Sequence, residues 1–299
     1  MSDSVSVRLR PSRALCGTTP DEFGDLLTRL APLVEAARDK RLDRPDRQRA
    51  RGAGAQPTAF RIRLLVALTH LRLGISLRET ASIFDIDEKS VRNWRNELES
   101  LLVQHGVVVA DRAEPVRTLA DLAEWLKDRP DDDYLIIDGT NIARPRPGGG
   151  WPAQRAAWST KSRNHAVKGT LVCDSAGNPV WFEANPSGEG RTHDIAMLRS
   201  GTLIGVLALS AIAILGDQGY QGLDEEVAGD VYVPTRRRPG KKLNRDESLY
   251  NHGLAQARIR VEHGIRRVKR WGAMRQHRRH PDTLDRLGQA TVVLDSLTR

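Results

Sequence analysis

Three acidic residues stand out by their setting: Asp138, Asp217 and Glu262. Asp138 follows the compact apolar run Tyr134–Ile137, and Asp217 follows Ala211–Leu215 and Gly216. Both runs read as buried strands. Glu262 lies in the stretch Ala257–Trp271, ARIRVEHGIRRVKRW, among Arg258, Arg260, Arg266, Arg267, Lys269 and Arg270. Two carboxylates held side by side repel, and one is driven to bind a proton unless a cation sits between them. Three oxygen donors with room for water suit Mg²⁺, with Mn²⁺ as a substitute. Two such ions about 3.5–4 Å apart activate water and stabilise a leaving oxygen, which is the chemistry of phosphodiester cleavage. Each acid alone also has a plainer reading. A strand-ending Asp before Gly is often a turn residue, and a Glu flanked by bases is often a solvated helix face.

The elements around these acids must bring them together. Ile259, Val261, Ile265 and Val268 recur at helical intervals, which predicts a helix over Asn251–Trp271. At roughly 100° per residue, Arg258, Glu262 and Lys269 fall within about 40° of one another on one face. Upstream, Tyr134–Ile137 is expected as a strand that ends at Asp138, with Gly139-Thr140 turning the chain. Arg144–Gly150 is a Pro/Gly-rich loop. His165–Cys173 and Val180–Ala184 form a hairpin about Asp174–Asn178. His193-Asp194 opens a helix through Leu198, where an acid suits the positive helix end. A short helix over Leu203–Ala208, the strand Ala211–Leu215, the strand Val231–Val233 and a closing helix over Asp282–Leu297 complete the order. Three strands, helices, two strands and a long helix make the order of an α/β, ribonuclease-H-like domain, a mixed sheet with flanking helices. In that arrangement the first and fourth strands are parallel neighbours about 4.8 Å apart. Asp138 and Asp217 then lie side by side, and Glu262 reaches them from the long helix.

The N-terminal third predicts an all-α domain of a different kind. Residues 1–20 read as a flexible arm, and Phe23, Leu26, Leu27, Leu30, Val34 and Ala37 as one apolar helical face. Asp39–Pro57 is a basic loop or linker. Thr58–Leu73 reads as a helix stopped at Gly74, and Ser76–Glu79 as a capping box opening a short helix to Phe84. Asp85–Asp87 is a turn, and Glu88–Val103 the next helix. Ala81, Ile86, Val91, Trp94 and Leu98 have the spacing of a helix-turn-helix: a small residue at the crossing and apolar residues fixing the second helix. Lys89, Arg92, Asn93, Arg95 and Asn96 are then expected on its outer face, where such side chains meet phosphates and base edges. A plain three-helix bundle with a polar face is the alternative. The expected division is an arm (1–20), a helical DNA-binding domain (21–104), a linker helix region (105–130) and a catalytic domain (131–299).

Composition agrees with these readings. The 299 residues, 39% hydrophobic and 28% charged, suffice for one large or two ordinary domains. A net charge of +9 points to a polyanion, and nucleic acid first. Two cysteines, Cys16 and Cys173, exclude a disulfide scaffold and a cysteine zinc site. The N-terminus lacks the apolar core of a signal peptide, and Leu203–Leu215 is too short to span a bilayer. The expectation is a cytoplasmic protein associated with the nucleoid.

With these motifs in hand, the sequence resembles the DDE transposases of insertion sequences, specifically the IS5-like group, over about residues 20–275. The matching pieces are LLTRLAPLVEAARDKR and the helix-turn-helix, then LIIDGTNI, KSRNHAVKGTLVCDSAGNPV, GEGRTHDIAML, GDQGYQGL and RIRVEHGIRRVKRW. The resemblance implies that Asp138, Asp217 and Glu262 bind divalent metal, a pair of Mg²⁺ or Mn²⁺ ions. Arg258, Glu262 and Lys269 fit the family's Tyr-x2-Arg-x3-Glu-x6-Lys signature, and Ala255 stands where its Tyr belongs. His193-Asp194 match a His-Asp pair near the family's active site, and Lys161 and Lys168 match basic positions expected to meet phosphate. The implied activity is cleavage and strand transfer at terminal inverted repeats, by a homodimer bound to double-stranded DNA, with Arg258 and Lys269 steadying the strand. Two other readings are a transposase turned non-catalytic regulator, and a ribonuclease-H-fold nuclease that cuts without joining.

Overall fold

The computed structural model describes residues 9–43, 58–130 and 132–299. The first part of the expected N-terminal arm and most of the basic Asp39–Pro57 loop lie outside the described residues.

Five helices come first: α1 (Pro20–Leu42), α2 (Phe60–Leu73), α3 (Leu77–Phe84), α4 (Glu88–His105) and α5 (Leu119–Lys127). Their ends obey local chemistry. Ser76 and Glu79 cap α3 reciprocally, with the Glu79 amide donating to Ser76 Oγ at 3.2 Å and the Ser76 amide to Glu79 Oε2 at 2.7 Å. Asp85 ends α3 in the left-handed conformation, φ 50° and ψ 54°, which a short polar side chain tolerates. Asp87 then caps α4 by accepting from the Ser90 amide at 2.8 Å. Ala81, Phe84, Val91 and Leu98 are buried between the helices, so the turn and crossing have the expected form.

The sheet follows. Strand β1 (Tyr134–Ala143) leads through α6 (Gly150–Ala157) and β2 (Trp158–Ser159) to β3 (Asn164–Cys173) and β4 (Pro179–Ala184). Helices α7 (Asp194–Ser200) and α8 (Leu203–Leu207) lead to β5 (Ala213–Leu215) and β6 (Val231–Tyr232). Antiparallel β3 lies on one side of β1 and parallel β5 on the other; β6 continues the parallel side, and β2 and β4 both pair with β3. This is the mixed, helix-flanked sheet expected of a ribonuclease-H-like fold; the parallel neighbour of the first strand is β5 rather than the fourth strand, because the two-residue β2 adds one strand to the expected order. Helix α9 (Arg245–Lys269) crosses β1, β3 and β4, and α10 (Leu284–Leu297) fills the space between β4 and α4. Leu287, Ala290, Val293 and Leu294 of α10 are buried, and Gln289 Nε2 donates to the Phe182 carbonyl at 2.6 Å. The helical third and the sheet therefore share one continuous apolar core.

Four details differ from expectation. Strand β1 does not end at Asp138: it runs on to Ala143, because β3 supplies a partner from Thr170 to Ala166. Only the pairing with β5 stops, at Ile136 opposite Leu215. The expected loop after β1 gives way at Gly150 to α6. Helix α9 begins six residues early, because Asn244 and Glu247 form a capping box. Ile259, expected on the apolar face, is 51% exposed; Leu254, Val261 and Val268 form that face instead.

Candidate active site

Continuing the register of β1 and β5 past Leu215 sets Asp217 level with Asp138. Asp217 does not waste its charge on solvent alone: its Oδ1 accepts the Gly219 amide at 2.7 Å and caps the turn Gln218–Tyr220. Asp138 stands opposite Leu171 of β3. Its carboxyl group is pushed up to about 6, first by burial and then by the negative charge of Asp217. Asp194 adds to the rise, while Arg258 and Lys161 oppose it. The two aspartates thus feel each other, as the strand order requires.

Asp194 is the third acid of this cluster. It is the first residue of α7 and lies against both strand ends. A side-chain carbon at Gly139 would stand 1.7 Å from Asp194 Oδ1. One at Gly219 would meet Asp194 Oδ2 at 2.7 Å and Asp217 Oδ1 at 2.8 Å. Gly139 is therefore a notch in a straight strand that admits Asp194, and the expected turn at this glycine does not form. Lys168, read as a phosphate contact, is ion-paired here: its Nζ lies 2.8 Å from Asp194 Oδ1, without the alignment of a hydrogen bond, and donates to the Thr192 carbonyl at 2.9 Å. Tyr220 is fully buried beside the acids, and burial followed by the charges of Asp194 and Asp138 pushes its hydroxyl well above the ordinary range. His193 is exposed and its side chain makes no hydrogen bond to the helix end.

Helix α9 brings its cations to the same edge. Arg258 is half-buried and acts on Asp138 electrostatically. Lys269 donates to the Asn141 carbonyl at 2.7 Å; burial lowers its pKa, with Asp138 opposing the fall. Asn141, which the sequence reading passed over, also donates through Nδ2 to Ser159 Oγ at 2.9 Å. Glu262 lies on the stripe between Arg258 and Lys269, and it is exposed. Among the described residues no three His, Cys, Asp or Glu side chains gather into a cluster able to hold a metal ion. Asp138, Asp217 and Asp194 are neighbours here without forming such a cluster. Two buried polar atoms of this region, Asn141 Oδ1 and Arg258 Nε, have no hydrogen-bond partner. Oxygen-rich surroundings and mutually repelling carboxylates fit a hard divalent cation.

On α4, Lys89, Arg92 and Asn93 are exposed as expected of a recognition surface. Arg95 is not: it is 7% exposed, and with half-buried Asn96 it faces inward. Arg95 donates to Asn96 Oδ1 at 3.0 Å and lies 3.9 Å from Glu99, which Arg279 and Arg286 also hold. The reason is periodicity, since Val91, Arg95, Leu98 and Leu102 share the buried stripe of the helix.

Comparison with known proteins finds relatives of both parts of the chain. Residues 60–107 match the helix-turn-helix of DDE superfamily endonucleases. A relative from Microchaete diplosiphon, described as a probable transposase for insertion sequence element IS702, is 29% identical over 146 residues, 49% of this chain and 50% of the relative. The chain thus spans about half the length of that relative. Residues 137–296, from the strand that carries Asp138 to the end of α10, match the DDE superfamily endonuclease family, and the chain belongs to that family.

Proposed function

We propose that the chain is an insertion-sequence transposase that cuts and joins DNA strands. The observation that carries this reading is the juxtaposition of Asp138 and Asp217 at the β1–β5 junction, within a chain that also holds a helix-turn-helix. The name of the Microchaete relative supports it. In this reading Lys89, Arg92 and Asn93 meet the terminal inverted repeats, and two copies of the chain hold two ends together. Asp138 and Asp217 would hold a divalent cation, with Glu262, exposed on α9, as the further donor this reading assigns. Bound Mg²⁺ or Mn²⁺ supplies an activated water and neutralises the charge that builds on the leaving oxygen. Arg258 and Lys161 offset the clustered carboxylates and lead a phosphate to them. Lys269, tied to the β1 backbone through Asn141, fixes where α9 stands against the strand. Lys168 keeps Asp194 turned toward the acids.

Cleavage and joining of labelled inverted-repeat DNA test this reading. Asp217→Ala is expected to lower cleavage about a hundredfold or more while leaving repeat binding unchanged; an unchanged cleavage pattern rejects the enzyme. Glu262→Gln should behave alike if α9 supplies a donor. Cut ends that are never joined to target DNA, with Mg²⁺ present, identify a nuclease rather than a transposase.

A further inference from the structure

Of the six tryptophans in the chain, two are exposed, Trp151 by 72% and Trp158 by 41%. Large aromatic surface in water needs a reason, since its burial is strongly favourable. Trp151 lies in α6, and Trp158 follows that helix as the first residue of β2. Trp151 and Arg155, four residues apart, share one face of α6, and both are exposed. The stripe that a short helix would normally bury is instead turned to solvent, and it is aromatic and cationic.

The surroundings form a cavity of about 490 Å³, within the range of small-ligand sites. Trp151 and Trp158 line it with Arg146, Arg155, Arg191 and His165. Its parts are held in place. Trp158 meets the His165 ring edge to face, centroids 5.3 Å apart, across the β2–β3 pairing. Arg146 donates to Gln154 Oε1 at 2.6 Å. Flat apolar faces beside guanidinium groups, with no acid among the lining residues, complement a ligand that is aromatic and anionic at once. A nucleotide with its base unstacked is such a ligand. Position agrees with chemistry. Ser159, next to Trp158, accepts from Asn141, three residues along β1 from Asp138. Three residues of strand cover about 10 Å, so the cavity, which lies beyond this contact, stands at least about three base steps from Asp138.

Resting on the DNA-cutting reading above, we propose that this cavity takes an unpaired, unstacked base of the DNA strand a few nucleotides from the cleavage point. An intact duplex cannot enter it, because its bases present no free faces. The site would thus hold a frayed or displaced strand while the acids act a few nucleotides along it.

The test uses the full-length chain without divalent cation, so that no cleavage is needed. Two probes of one sequence are compared by fluorescence anisotropy, a blunt duplex and a duplex with a short single-stranded tail, each with a fluorescent adenine analogue near the end. The intact chain is expected to bind the tailed probe about tenfold tighter and to quench the analogue. Trp151→Ala with Trp158→Ala should abolish both effects, and Trp151→Phe with Trp158→Phe should keep most of the preference. Equal binding of both probes by the intact chain overturns the proposal, as does an undiminished preference in the alanine variant. A variant that loses self-association instead, by sedimentation, overturns it in favour of an interface between copies. Absence of cleavage when Mg²⁺ is restored would count against the function proposed above and leaves this preference readable.

Discussion

Glu99 and Asp138 are both carboxylates drawn out of water, and their neighbours differ in sign. Glu99 is fully buried and surrounded by guanidinium groups: Arg279 holds both its oxygens at 3.0 and 2.9 Å, Arg286 lies at 3.2 Å and Arg95 at 3.9 Å. Asp138 has Asp217 and Asp194 beside it, with Arg258 and Lys161 as partial compensation. The first arrangement ties α4 to the C-terminal segment and leaves little for a ligand to do. The second holds repulsion that folding itself does not relieve, which is what the proposed cation site would use.

The contrast can be broken at several points. The largest effect is expected from Glu99→Ala, which leaves guanidinium groups buried without their partner and should cost about 3–5 kcal/mol in denaturant unfolding. A loss under about 1 kcal/mol would mean that these arginines find other partners. Next comes acid sensitivity in the same region. Burial, and then the arginines Arg95, Arg279 and Arg278, lower His70 from 6.5 to about 4; burial first lowers His277 likewise to about 4. Both bind protons more readily once unfolded, so stability should fall as pH drops from about 6.5 toward 4, by on the order of 3 kcal/mol for each. The unfolding midpoint followed across that window checks the sign, and His70→Gln should flatten the slope. Gly139→Ala is expected to cost about 1–3 kcal/mol, because the added carbon takes the place of Asp194 Oδ1. Wild-type stability in that variant would show that Asp194 swings away freely. The smallest effect, opposite in sign, belongs to Asp217→Asn. It keeps the oxygen that caps the Gly219 amide and removes a charge facing Asp138, so metal-free stability should rise by up to about 1 kcal/mol. A clear loss would place Asp217 with Glu99 as a structural acid.

Much of the fold was legible because its signals are local. The capping box at Ser76, the left-handed Asp85 and the apolar runs ahead of Asp138 and Asp217 announce themselves within a few residues. The order of strands and helices then limited the topology enough to place β1 beside β5. Reading failed where a residue has two local meanings. Gly139 looks like a turn and is a notch. Arg95 looks like a DNA contact by type, yet it shares a helical stripe with Val91 and Leu98, a periodicity that was there to be seen. The stretch holding α6 is Pro- and Gly-rich at its start, which hid a helix of eight residues.

By itself the amino-acid order determined most of the elements and their order, and that two acids would come level at the ends of adjacent parallel pairings. Only the tertiary structure decided which charges face one another: that Asp194 reaches Asp138 and Asp217, that Lys168 answers Asp194, that Glu262 stays at the surface and that Arg95 turns toward Glu99. The physical reason is range. Hydrogen bonds of caps and turns close over three or four residues and are written in sequence, whereas the partner of a charge is chosen by groups up to about two hundred residues away that the core happens to bring within reach.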